Sequence, residues 1–133
     1  MPLSGVDRKR KGSKFENELA AYFNEVCGIS CHRTPLSGGG RGEALPDLTG
    51  TPGLAIEAKR HERMSVDEWM RQARKNAGLD RPVVINRKSR QPLHDSYVIL
   101  HLQDFADLYR AWLTQQGYVK GDTDDRKSNQ VVD

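Results

Sequence analysis

The segment LPDLTGTPGLAIEAK, residues 45–59, covers nearly all of the two predicted strands on which the architecture depends. Short strand-like runs at residues 44–49 and 54–60 flank Gly50-Thr-Pro-Gly53, a sequence typical of a tight connection. Two runs joined by so short a turn predict adjacent antiparallel strands, that is, a β-hairpin. The second strand begins with apolar residues and should therefore be buried.

Side chains that alternate along the second strand divide it into an apolar face and a charged face. Ile56 and its i±2 neighbours should share one face, whereas Glu57 and Lys59 should share the other. Asp47 lies on the preceding strand and can reach this charged face across the hairpin. The spacing therefore predicts that two carboxylates and one ammonium group converge on one spot.

The three converging side chains suit hydrolysis of a phosphodiester bond. Asp47 and Glu57, with the backbone carbonyl of Ala58, offer hard oxygen ligands for Mg²⁺, with Mn²⁺ as a substitute. A bound Mg²⁺ acidifies water and neutralises phosphoryl charge, and Lys59 can orient that water or stabilise the transition state. The alternative is an exposed Glu57–Lys59 pair of little energetic value. Charged residues at the end of a buried strand are costly without a function, which favours catalysis.

The rest of the chain alternates between helical and extended patterns. Helices are predicted from near Ser13 to Gly28, over residues 65–77 with a Ser65–Glu68 capping box, and from a cap at Asp104 onward. Further strands are predicted at residues 29–33, 81–87 and 96–102. This order indicates an α/β fold with a mixed central β-sheet flanked by helices.

Length and composition bound the class of protein. A chain of 133 residues, with 36% hydrophobic and 29% charged residues, fits one globular domain. We predict a disordered basic N-terminus at residues 1–12, a folded domain at 13–116 and a flexible tail at 117–133. No run is apolar enough to span a membrane, and the N-terminus lacks the apolar core of a signal peptide. We therefore expect a cytoplasmic protein with no membrane partner.

The charge of the chain gives weaker information. A net charge of +3 and a pI near 9.0 are only a modest indication of a polyanionic partner. The basic residues cluster at the start of the chain and after Lys59, whereas many acids lie in the last helix and the tail. Basic runs are usually solvated surfaces, so this distribution supports nucleic-acid binding without establishing it.

The motif residues resemble those of a known superfamily. Pro46-Asp47 followed by Glu57-Ala58-Lys59 is similar to the catalytic motif of PD-(D/E)xK nucleases. The flanking segments resemble Holliday junction resolvases of the archaeal and phage type. These segments are Gly12–Leu19, Arg33–Gly38, Trp69 with Gln72 and Ala73, and Pro82–Ile85. The resemblance implies a restriction-endonuclease-like core and a metal-dependent DNA endonuclease.

The resemblance also implies further site residues. It places Glu16 of the first helix at the metal, and Ser37 and Gln72 at the catalytic site. Helical periodicity alone does not choose between Glu16 and Glu18, and the resemblance favours Glu16 because of its position after Gly12. With the motif residues, this gives a catalytic set of Glu16, Ser37, Asp47, Glu57, Lys59 and Gln72, and a metal set of Asp47, Glu57, Ala58 and Glu16.

Basic side chains near this site are expected to hold DNA phosphates. The candidates are Lys14, Arg33, Arg41, Arg60, Arg63, Lys88 and Arg90. No side chain is evidently placed to read bases, so recognition should depend on DNA structure rather than sequence. The implied substrate is branched DNA, and a four-way junction with two-fold symmetry would suit a homodimer that makes paired nicks.

Two other functions fit the same residues. One is another PD-(D/E)xK nuclease, such as a repair nickase or a restriction-like enzyme, although the chain is short for a separate target-recognition domain. The other is a non-catalytic nucleic-acid-binding module, for which Asp47→Ala and Glu57→Ala would be silent. The intact pair of acids with a lysine favours an active nuclease over this second alternative.

Overall fold

The computed structural model describes residues 5–35 and 45–121, with side chains from residue 12 onward. The predictions for Ser37, Arg41 and residues 122–133 therefore lie outside the described residues. The described chain forms two compact units, one ending at Leu100 and the next beginning at His101. The predicted domain at residues 13–116 spans this division, and each unit is described by itself.

The first unit contains two helices, five strands and a 3₁₀ turn among its described residues. In chain order these are α1 Gly5–Cys27, β1 His32–Arg33, β2 Leu48–Thr49, β3 Leu54–Lys59, α2 Val66–Ala77, β4 Arg81–Asn86, the turn Leu93–Asp95 and β5 Tyr97–Ile99. The second unit contains α3, Leu102–Gln116.

The sheet that carries the motif is a mixed three-stranded sheet in the order β3-β4-β5. β3 and β4 are parallel, with Glu57 opposite Val84 and Lys59 opposite Asn86. β4 and β5 are antiparallel. Parallel neighbours need a crossover connection, and α2 supplies it. The predicted mixed sheet flanked by helices is confirmed.

The two faces of this sheet pack against different helices. The α1 side contains the buried residues Phe15, Leu19, Ala20, Cys31, Leu48, Ile56, Val83 and Ile85. The α2 side contains the buried residues Trp69, Met70, Ala73 and Val84. Ile56 therefore faces α1, with Leu54 and Ala58 packed on the same cluster. The predicted alternation along β3 is confirmed, and its charged face is turned toward α2.

Truncation of Leu19 to alanine is expected to destabilise the protein by about 2–5 kcal/mol, because it leaves a cavity in the packed core. Leu19 is 3% exposed, whereas Val26 on the same helix is 60% exposed. Val26→Ala is the matched control and should change stability by less than about 0.5 kcal/mol. Equilibrium denaturation in urea measures both variants. Equal effects of the two substitutions would contradict the assigned core.

The predicted hairpin between the first two strands is wrong. β2 pairs with β1 in a separate two-stranded antiparallel sheet, with Arg33 opposite Leu48. A single backbone bond, Asp47 N–H to the Ile56 carbonyl (2.9 Å), joins this segment to β3. The next donor along β3, the Ala58 N–H, binds the Asp47 side chain at 2.8 Å. A side-chain acceptor thus replaces the next ladder bond.

Several predicted boundaries also need correction. α1 begins at Gly5 rather than near Ser13, because the lysines and arginines between them favour helix and no proline interrupts them. This replaces the predicted disorder over residues 5–12. Ser65 is the N-cap residue of α2 but makes no side-chain capping bond. α3 is preceded by His101, so Asp104 lies in its first turn instead of at its cap.

α3 is the helix among the described residues of the second unit. It ends at Gly117, whose φ of 85° is the left-handed conformation that glycine adopts readily. Its rings stack in a row, with centroids 6.0 Å apart for Phe105 and Tyr109 and 6.1 Å apart for Tyr109 and Trp112. Within the described ranges, no helix combines the length and the apolar character that crossing a bilayer requires.

Candidate active site

Asp47 is held by backbone hydrogen bonds on both sides. Its N–H donates to the Ile56 carbonyl at 2.9 Å, and its carbonyl accepts from the Thr34 N–H at 2.8 Å. Its carboxylate oxygen Oδ2 accepts from the Ala58 N–H at 2.8 Å. The position and the orientation of this carboxylate are therefore set by Thr34, the residue after β1, on one side and by β3 on the other.

Glu57 is the buried acid of the site. It is 3% exposed, and its Oε1 accepts a hydrogen bond from Asn76 Nδ2 of α2 at 2.8 Å. Its carboxylate also lies within hydrogen-bonding reach of the Asp47 carboxylate. Burial, followed by the negative charge of Asp47, raises the pKa of Glu57 to about 8. Two acids so close are stable only when a proton or a cation lies with them.

Lys59 lies on the same face of β3 as Glu57. Its Nζ donates to Gln72 Oε1 of α2 at 2.8 Å. Its charge acts on Glu57, where it lowers the pKa against the larger effect of burial. Asp47, Glu57 and Lys59 therefore converge, as the sequence predicted. The structure also brings the predicted residue Gln72 to the motif, through the ammonium group of Lys59.

Glu16 lies at the edge of this group. Its Oε1 accepts from Arg33 Nε at 3.0 Å. Burial and the charge of Asp47 raise the pKa of Glu16, and Arg33 opposes them. Glu18 instead pairs with Arg87 at 3.5 Å. Of the two glutamates, Glu16 is thus the one near the motif acids.

The metal role of Glu16 stays a prediction. Among residues 12–35 and 45–121, no cluster of three or more acidic, histidine or cysteine side chains is arranged to hold a metal ion. The carboxylate pair Asp47–Glu57 is the part of the predicted metal set that the structure brings together. The structure does not test the predicted ligand role of the Ala58 carbonyl.

The predicted phosphate-binding residues occupy different settings. The Arg60 guanidinium is partly buried 5.7 Å from the centre of the Phe15 ring, and burial, followed by the charge of Arg87, lowers its pKa. Lys88 Nζ lies 5.6 Å from the centre of the Tyr97 ring. Lys14, Arg63 and Arg90 are exposed. The exposed side chains are free to reach DNA, whereas Arg60 also contributes to packing.

Two asparagines near the motif were missed at the sequence level. Asn76 binds Glu57, and it lies one helical turn after Gln72, a spacing that could have indicated it. Asn86 is fully buried, and its side chain forms two hydrogen bonds with the backbone of His61, two residues after Lys59. Its Nδ2 donates to the His61 carbonyl and its Oδ1 accepts from the His61 N–H, each at 3.0 Å. A lone asparagine in an apolar strand gave no sign of this contact.

A mixed sheet with helices on both faces, and a buried glutamate beside a half-buried aspartate and a lysine at a strand end, are the features of the PD-(D/E)xK class of nucleases. The chain belongs to the family described as "Phage putative PDDEXK endonuclease", whose model matches residues 7–133. The predicted superfamily is confirmed.

Comparisons with individual proteins add less. No curated protein sequence matches the chain. Among solved structures, the chain is similar to Hjc, a Holliday junction resolvase from the archaeal hyperthermophile Archaeoglobus fulgidus. The similarity covers 68% of this chain and 88% of that one, at 23% identity and a TM-score of 0.47.

Proposed function

We propose that this endonuclease is a structure-selective, metal-dependent enzyme that resolves four-way DNA junctions by paired nicks. The observation that carries the catalytic part is the convergence of Asp47, Glu57 and Lys59 on one face at the end of β3. Membership of the phage endonuclease family supports the reaction class. The junction preference draws its support from the order of the motifs along the sequence.

The residues present fit a hard divalent cation such as Mg²⁺, or Mn²⁺ in its place. Asp47 and Glu57 would hold it, with the Ala58 carbonyl and Glu16 as further proposed ligands. The fit follows from the donor set, because a buried Glu57 against Asp47 is costly to ionise without a compensating positive charge. When bound, the cation supplies acidification of water and neutralisation of phosphoryl charge.

The protein's own groups provide position and charge. The Ala58 N–H and the Asn76 amide orient the two carboxylates. Lys59, held by Gln72, supplies a fixed ammonium group for the negative charge that develops on the phosphate in the transition state. Because these contacts are already formed in the free protein, little reorganisation is needed during the reaction.

Binding to DNA is proposed to depend on phosphates more than on bases. The exposed basic residues Lys14, Arg63 and Arg90 would contact the backbone, as would Arg33 beside Glu16 and the partly buried Lys88 and Arg60. Two symmetric cuts in one junction need two sites, so the proposed active species is a homodimer.

The purified chain is expected to make paired, symmetric nicks in a synthetic four-way junction when Mg²⁺ or Mn²⁺ is present, and none in EDTA. Linear duplex, three-way and flap DNA of the same sequence serve as matched substrates. Denaturing gel electrophoresis of end-labelled strands locates the cuts. Sedimentation of the complex measures the number of chains per junction.

The substrate panel separates the alternatives. If linear duplex is cut as readily as the junction, the junction preference is wrong and a general PD-(D/E)xK nuclease remains. If the junction is bound but no substrate is cut with either cation, the chain is a binding module. Cleavage in EDTA at the same rate as with Mg²⁺ would overturn the proposed metal dependence but not the nuclease activity.

A further inference from the structure

Resting on the proposed metal-dependent activity, we propose that Asn76 is a positioning residue that aims the Glu57 carboxylate at the cation. Asn76 Nδ2 donates to Glu57 Oε1 at 2.8 Å. This occupies one oxygen of the carboxylate and leaves the other, Oε2, available as a ligand. Nothing in the catalytic motif itself requires an asparagine at this position of α2.

The contact between Asn76 and Glu57 is one of two side-chain hydrogen bonds between α2 and β3, and the other joins Gln72 and Lys59. Gln72 and Asn76 are four residues apart on the helix, and Lys59 and Glu57 are two residues apart on the strand. Four helical residues rise about 6 Å and two strand residues about 6.6 Å, so the two spacings nearly coincide. The helix and the strand run so that Gln72 meets Lys59 and Asn76 meets Glu57. One helix face therefore positions both the Glu57 carboxylate and the Lys59 ammonium group.

The two acids are held in the same manner from opposite sides. Asp47 Oδ2 accepts the Ala58 N–H at 2.8 Å, and Glu57 Oε1 accepts the Asn76 amide at 2.8 Å. Each carboxylate thus has one oxygen bound by a protein donor. The remaining oxygens belong to two acids within hydrogen-bonding reach of each other. A cation between the two acids would take its ligands from these remaining oxygens.

The chemical nature of the donor matters as much as its position. A lysine or arginine at residue 76 would neutralise Glu57 and compete with a cation for its charge. A primary amide donates a hydrogen bond and carries no net charge, so it restricts the rotation of the carboxylate while leaving its negative charge for the metal. Hydrogen-bond partners of metal ligands typically change metal affinity by about 10–100-fold.

The test measures binding of Mn²⁺ to the full chain without DNA, by electron paramagnetic resonance of the free ion. Asn76→Ala and Asn76→Leu are both expected to weaken Mn²⁺ binding by about 10-fold or more. Leucine keeps the approximate size of the side chain without a donor, so agreement between the two variants excludes a packing effect. Val66→Ala, a neutral and exposed position on α2, should leave the affinity unchanged.

A Glu57→Ala background identifies the group through which Asn76 acts. Residual Mn²⁺ binding through Asp47 should then be insensitive to Asn76→Ala, since the acceptor of the hydrogen bond is gone. Wild-type binding of Mn²⁺ with no change in either Asn76 variant would overturn the role of Asn76 and leave the proposed function standing. If the wild-type chain binds no Mn²⁺, the proposed metal dependence fails and the role of Asn76 fails with it.

Discussion

An Asp47→Asn variant is expected to lose DNA cleavage by about a thousandfold or more, which corresponds to about 4 kcal/mol of transition-state stabilisation. Asparagine has nearly the same shape as aspartate, and its carbonyl oxygen can still accept the Ala58 N–H that Asp47 Oδ2 accepts now. The fold should therefore persist while the negative charge at this position is removed. Single-turnover cleavage of a junction substrate with Mg²⁺ measures the loss.

Asp67→Asn is the matched control for this experiment. Asp67 is an exposed acid in the first turn of α2, and its replacement should leave cleavage within about twofold. Circular dichroism of both variants verifies that they fold. An Asp47→Asn enzyme that keeps more than a tenth of wild-type activity would contradict the assignment of Asp47 to the metal site.

A Glu57→Gln variant is expected to be more stable than the wild type in EDTA above pH 8. Because burial and the charge of Asp47 raise the pKa of Glu57 to about 8 from its ordinary 4.5, the folded chain keeps a proton that the unfolded chain releases. This stabilisation is fully present below pH 4.5 and is lost as the pH rises through 8. Glutamine stays neutral and avoids the loss, which is of the order of a few kcal/mol at about 1.4 kcal/mol per pKa unit.

Denaturant titrations across this pH range test the effect. The wild-type free energy of unfolding in EDTA should fall between pH 4.5 and 8, and the variant should lack most of that slope. Added Mg²⁺ should stabilise the wild type and narrow the difference, because it binds only the folded form. A wild-type stability that does not change with pH would show that Glu57 ionises normally and would remove the argument for a compensating cation.

The charged face of β3 was predictable from the sequence because it depends on local alternation. Ile56 is apolar, so Glu57 and Lys59 had to lie on the other side of the strand. The structure confirms this, with Ile56 against α1 and the two charged residues toward α2. The crossover helix was similarly evident from its apolar spacing, and Trp69 and Ala73 are buried as that spacing requires.

The strand that pairs with β2, next to Asp47, was not predictable in the same way. A short connection between two strand-like runs favours a hairpin, but β2 takes β1 as its partner, although residues 34–47 separate these two strands in the sequence. Such non-local pairing leaves no local signal. Asp47 reached the predicted position by a different means, through one backbone bond to Ile56 and one side-chain bond to Ala58.

The ends of the helices show a further limit of sequence patterns. Ser65 and Glu68 have the spacing of a capping box, yet Ser65 makes no side-chain capping bond. The charged segment before Ser13 has no apolar stripe, so the pattern predicts a disordered tail, although its lysines and arginines are good helix formers. The missing capping bond reflects the folded geometry around Ser65, whereas the start of α1 follows the helix propensity of charged residues, which an apolar pattern does not register.

The small side chain of Ala73 has a consequence for how the enzyme could change. Ala73 is 0% exposed and lies on α2 between the two residues whose amides reach β3. Its side chain lies in the buried cluster with Val84 of β4, so its size limits how near the helix lies to the sheet. A bulkier residue there would lift Gln72 and Asn76 away together, so a purely apolar position controls whether the two polar contacts exist. Selection on this position could therefore tune the proposed cation affinity without altering any proposed metal ligand.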